Sequence, residues 1–120
     1  DAFWVAGHFP VPKGGEAASA KFKVGPIFPG VLMVESAAQA GICLWRMQMG
    51  IAETGGRLMV FKEVTKARFM KEARPGDRLV VRAQMEKASL RLMRCFCEGQ
   101  VKRDGQWDLA FDCHLAGLAV

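Results

Sequence analysis

The spacing of apolar and polar positions changes period along the chain, and each change marks an element. Phe3-Trp4-Val5 is an aromatic, β-prone run that ends at Gly7-His8-Phe9-Pro10. Pro12, Gly14 and Gly15 make residues 11–16 turn-rich. Over residues 17–24 the pattern alternates, with Ala18, Ala20, Phe22 and Val24 on one face and Ser19, Lys21 and Lys23 on the other. That predicts a short strand with one solvated face. Gly25-Pro26-Ile27-Phe28-Pro29-Gly30 admits no regular structure. Residues 30–49 then form the one convincing helix, stopped by Gly50. Its apolar residues cover almost the whole circumference, which predicts a buried helix. Glu35, Ser36 and Gln39 are the polar exceptions, and Glu35 and Gln39, four apart, share a face.

After Gly56 the period returns to two. Strands are predicted over residues 58–69, 78–87, 90–102 and from Trp107 to Leu115. A Pro-Gly turn at residues 73–77 and an Asp-Gly hairpin at residues 103–106 separate them. One helix and five or six mostly antiparallel strands make an α+β domain over residues 1–120, with the sheet wrapped around the helix.

Composition narrows the class. Hydrophobic residues are 51% of the 120 and charged residues 24%, enough apolar surface to exclude a disordered chain. The longest apolar stretch, residues 27–44, is interrupted by Glu35, Ser36 and Gln39, so no membrane span is expected. No signal peptide is read at the start. Lysine plus arginine is 17 against 12 acidic residues, a net +5 that favours an acidic partner. Nucleic acid is disfavoured, because tyrosine is absent and no basic run carries interleaved aromatics. Cys43, Cys95, Cys97 and Cys113 lack zinc-knuckle spacing and read as reduced, mostly buried thiols in a cytoplasmic protein, with Cys95 and Cys97 on one strand face. No metal is expected.

Two histidines limit the chemistry. His114 sits mid-strand and reads as structural or surface. His8 sits at a strand end, and Glu35 is the sole acid between Ala17 and Ala52. Were Glu35 buried, its carboxyl would hold a proton near neutrality and pair with His8 as general acid and base. A plain helix-start carboxylate is the alternative. Gly30, just behind Pro29, would present free backbone N–H groups at the positive end of the helix and polarise a carbonyl.

Gly7-His8-Phe9-Pro10, Pro26-Ile27-Phe28-Pro29-Gly30-Val31-Leu32-Met33-Val34-Glu35 and Ala38-Gln39-Ala40 together resemble the β-hydroxyacyl-acyl-carrier-protein dehydratases of the hot-dog fold. Ala67-Arg68-Phe69 and Arg74-Pro75-Gly76-Asp77 extend the likeness. The resemblance implies dehydration of a (3R)-hydroxyacyl thioester to the trans-2-enoyl product in fatty acid synthesis. The enzyme would be a homodimer or trimer of dimers. By analogy His8 removes the proton beside the thioester carbonyl and Glu35 of the other subunit protonates the 3-hydroxyl. The Gly30 amide binds the thioester oxygen and Gln39 orients Glu35. Asp typically replaces Glu35 in the isomerase-capable branch, which the chain resembles less. No cofactor is implied, since the thioester itself acidifies the C–H bond. Met33, Ile42, Trp45 and Phe61 are candidates for an acyl tunnel. Lys66, Arg68, Lys71 and Arg74 are candidates for docking an acidic acyl carrier protein, a solvated strand edge being the alternative.

Two departures stand out. Residues 11–25 separate His-Phe-Pro from the next motif, where the family has about two residues, and the sequence opens almost at the histidine strand, which in the family an N-terminal helix and strand normally precede. Residues 14–24 look like the family strand that normally precedes the histidine strand. With residues 11–24 moved ahead of residues 1–10, the family's order returns. The segment therefore either stands out of biological chain order or is a true insertion forming a hairpin beside the site. A hot-dog acyl thioesterase and a non-catalytic acyl-binding subunit are the competing functions. Retention of His8, Glu35 and Gly30 speaks against the second.

Overall fold

The computed structural model describes the backbone of residues 4–10 and the whole of residues 28–120. Both readings of residues 11–24 fall outside that range. Strand β1 is Trp4–Pro10, helix α1 Gly30–Met49, the short helix α2 Ile51–Thr54, and strands β2 to β5 are Met59–Phe69, Arg78–Ala88, Leu92–Arg103 and Gln106–Ala119. The strands form one antiparallel sheet in the order β1-β3-β4-β5-β2. Among the described residues the predicted elements thus hold to within a few residues, with α2 as an unforeseen addition, while the strand predicted over residues 17–24 lies outside them.

Helix α1 starts and stops for backbone reasons. Pro29, extended at φ −61° and ψ 140°, precedes it without a side-chain cap, and Gly50 ends it at φ 105°, with its N–H donating to the Arg46 carbonyl. Only glycine takes that conformation cheaply. Arg46 also donates to the carbonyls of Thr54 and Arg57, fastening α2 and its exit to the end of α1.

The buried face of α1 is Met33, Ala37, Ala38, Ala40, Gly41, Leu44 and Trp45. Its small residues let the helix settle directly on β4, so a Cβ at Gly41 would stand 2.9 Å from the Met93 methyl and 3.0 Å from Cys95 Sγ. Beneath lie Leu79, Val81, Ala83, Cys95, Cys97, Val101, Phe111, Cys113 and Leu115, all from the inner side of the sheet. The alternation of β3 and β4 is what places them there, and their opposite neighbours face out.

The expectation that α1 is buried all round needs correction. Val31, Glu35, Gln39, Cys43 and Met47, spaced by four, form one exposed stripe. The sheet curves around one side of the helix, and among the described residues nothing covers the other.

Candidate active site

The start of α1 is held in place from two sides. The Phe28 N–H donates to the Ala73 carbonyl at 2.8 Å, tying the approach of α1 to the turn after β2. On the other side the Phe69 ring, at the end of β2, lies where a side chain at position 30 would begin: a Cβ there would be 2.9 Å from Phe69 Cε1. A side chain at 30 would have to push the Phe69 ring or the helix start aside. Leu32 and Met33 both donate to the Pro29 carbonyl, so the amides of Gly30 and Val31 have no partner within the helix. They point from the positive end of the dipole.

One turn on, the Gln39 side-chain N–H donates to Glu35 Oε1 at 2.8 Å. The two side chains that share a helix face are therefore in contact. Glu35 itself is exposed rather than buried, because it sits on the uncovered stripe. A cavity of about 450 Å³ opens beside the helix start, lined by Phe28, Gly30, Met33, Phe69, Met70, Lys71 and Glu72.

A profile of the FabA-like domain matches residues 18–117. The chain belongs to the FabA-like family. Two curated relatives are named 3-hydroxyacyl-acyl-carrier-protein dehydratase FabZ. That of Desulfotalea psychrophila is 37% identical over 95 residues, which are 79% of this chain and 54% of the relative. That of a Thermoanaerobacter species is 42% identical over 74 residues, 61% and 49% of the two chains. The chain thus spans about half the length of the curated relatives it matches. Among solved structures, a Thermus thermophilus thioesterase superfamily member aligns at TM-score 0.76 and 19% identity over 100% of this chain and 82% of its own. A hexameric thioesterase from Yersinia pestis aligns at 0.67 and 19% over 87% and 81%. At such identities the likeness is one of fold, and the fold is the hot-dog.

In this FabA-like domain the candidate residues are distributed unevenly. Gly30, Met33, Glu35 and Gln39 gather at the first turns of α1. His8 lies in β1, with its backbone opposite Val80, at the sheet's edge and ahead of the profile-matched residues. Among the tunnel candidates, Met33 lines the cavity. Trp45 is wholly buried, with its indole N–H donating to the Ser89 carbonyl at 2.7 Å, and Ile42 and Phe61 are half-buried against the core. Three docking candidates have carboxylates of their own: Arg68 grips Asp112 through two nitrogens, Lys71 pairs with Asp108, and Arg74 with Glu72 at 2.9 Å. Lys66 is exposed at a β-bulge with φ 50°. Phe69 is the residue that sequence reasoning left without a role. It belongs to the Ala-Arg-Phe motif, but nothing in that motif says that its ring would meet Gly30.

A clamp lies behind the site. Arg103 donates to Asp77 and to the Glu72 carbonyl, fixing the turn that carries Ala73. Burial pushes the Asp77 carboxyl up, but the Arg103 guanidinium and the Arg74 N–H outweigh it, and the net shift is downward. Among the described residues, no group of three or more His, Cys, Asp and Glu is arranged to hold a metal, and no helix is long and apolar enough to cross a membrane.

Proposed function

We propose that the chain catalyses the dehydration of (3R)-hydroxyacyl thioesters, carried on an acidic acyl carrier protein, to trans-2-enoyl thioesters in cytoplasmic fatty acid synthesis. The observation that carries this reading is the Gly30–Glu35–Gln39 arrangement: an open amide end of a helix with an oriented carboxyl one turn away, in a FabA-like domain. The His8 imidazole takes the C2 proton while the Gly30 amide binds the oxygen on which negative charge gathers. The C2–H electron pair becomes the C2=C3 double bond, the C3–O bond breaks, and Glu35 gives its proton to the departing hydroxyl, which leaves as water. No net oxidation occurs. Because Glu35 lies on a stripe whose Val31 and Met47 are 75% and 66% exposed, a second chain completes the site by bringing its own β1 to that stripe. The Met33 cavity is the mouth for the acyl chain, with Ile42, Trp45 and Phe61 behind it. Lys66 and its neighbours Arg68, Lys71 and Arg74 lie along the same strand and turn as the carrier's approach.

The test is a steady-state assay with crotonyl and 3-hydroxybutyryl thioesters. Reversible loss and gain of the enoyl absorbance is expected, falling by about 10²–10⁴-fold in His8→Ala and in Glu35→Gln. Release of free thiol instead means that the fold hydrolyses thioesters. No turnover of either kind in the purified protein removes both enzyme readings.

A further inference from the structure

The outer face of the sheet, away from α1, balances its charges over most of its area. Arg82 stands opposite Glu98, Arg68 binds Asp112, and His114 Nδ1 lies 3.0 Å from Glu86 Oε1. At both ends of the sheet this balance stops: at one end Arg78 stands opposite Lys102, and at the end remote from Gly30 a third cation joins another such pair. Lys87 of β3 and Arg94 of β4 are directly opposite each other, a like-charged pair that weakens a sheet. Lys62 of β2 faces the same groove, about 260 Å³, whose floor is Leu92, Met93, Ala116, Gly117 and Leu118. Two bulges produce this. The register slips at Glu86 and returns Lys87 to the outer face beside Arg94, and it slips again at Lys62 on the edge strand. Among the described residues none of the three cations is in an ion pair; Glu63 and Glu86 line the neighbouring hollow around His114, which Arg94 borders as well, while Lys62 and Lys87 face only this groove. Apolar residues stand among the cations: Leu118 is 44% exposed, and Leu58 and Val120, which pair through their backbones, are 66% and 69% exposed.

We infer that this face is a peripheral docking site for an anionic phospholipid bilayer. Three cations free of carboxylate partners are drawn to lipid phosphates, and their long stems let the charged heads reach outward past the leucines. Leu118, Leu58 and Val120 protrude where the interface would accept them. The site is independent of the dehydratase reading and uses none of its residues.

Flotation of the purified protein with phosphatidylcholine vesicles, with and without phosphatidylglycerol, tests it. Retention on the anionic vesicles alone, abolished by high salt, is expected. Lys87→Glu with Arg94→Glu should weaken it by on the order of tenfold or more. Leu118→Gln should weaken it with the charge unchanged. Arg78→Glu with Lys102→Glu makes the same charge change at the other end of the sheet and should have a much smaller effect. An equal effect there, or equal retention on neutral vesicles, overturns the proposal. So does full competition by inorganic phosphate, which would make the groove a phosphate-ion site. Capture by polyglutamate that is insensitive to Leu118→Gln overturns it too, in favour of an acidic protein. Should the double glutamate variant fail to fold by circular dichroism, Lys87→Gln with Arg94→Gln replaces it.

Discussion

Glu35 and Gln39 show how little a helix has to provide to aim a carboxyl. Four residues apart on one face, they hydrogen-bond without help from elsewhere, and both are exposed in the single chain. Gln39→Ala should therefore leave the melting temperature almost unchanged while lowering turnover, a split that parallel thermal melts and kinetics will read. Gly30 behaves differently. Gly30→Ala drives a methyl into the Phe69 ring, so either the ring or the helix start must shift. Turnover should fall in that variant, and adding Phe69→Leu should recover part of it. The thiols also separate by environment. Hydrogen bonding to Cys95 and burial push the Cys97 thiol far up, and burial pushes Cys113 up to about 12. Cys43 is the exposed one of the four. In a monomeric chain iodoacetamide should label Cys43 alone, and all four thiols in denaturant, by mass spectrometry. The pairing of Glu35 with Gln39 was legible from spacing; the contact of Gly30 with Phe69, 39 positions apart in the numbering, was not.

At the scale of elements, periodicity foretold nearly everything local. Strands β2 to β5 and α1 lie close to where alternation and the turn residues put them, because side-chain period and turn chemistry are local properties. Packing between elements adds constraints that no local pattern carries. A Cβ at Gly99 on β4 would collide with the Phe111 ring on β5. Gly99→Ala should cost about 1–3 kcal/mol in urea denaturation. The turn between β2 and β3 is held by Arg103 from a distant strand. The Asp77 carboxyl sits below its ordinary value of 3.8, so its pair is fully stabilising above that pH. That stability is lost as pH falls through the lower folded-state value. The Arg68–Asp112 pair has the same sign, since the Arg68 hydrogen bond holds the Asp112 carboxyl down. Asp77→Asn should cost about 2 kcal/mol near neutrality and less in acid, where the unmodified protein has lost the same contribution.

Across the whole molecule the decisive feature is the surface that one chain leaves uncovered. Val31 and Met47 are 75% and 66% exposed on the stripe that carries the candidate carboxyl. Sedimentation should report a dimer or a multiple of it, and Val31→Asp with Met47→Asp should give monomers without turnover. The net +5 says only that the surface is basic. Folding decides where that charge goes: Arg68, Lys71 and Arg74 are largely matched by carboxylates, whereas Lys62, Lys87 and Arg94 are in no ion pair among the described residues. By itself the sequence determined the elements, the buried sides of the strands, the family resemblance and the spacing that joins Glu35 to Gln39, because all of these depend on neighbours within a few residues. Only the tertiary structure decided that Glu35 is exposed, that the Phe69 ring lies against Gly30 and which of the described cations are in no ion pair. Those outcomes depend on contacts between residues tens of positions apart, whose loops close only when the whole sheet forms around the helix.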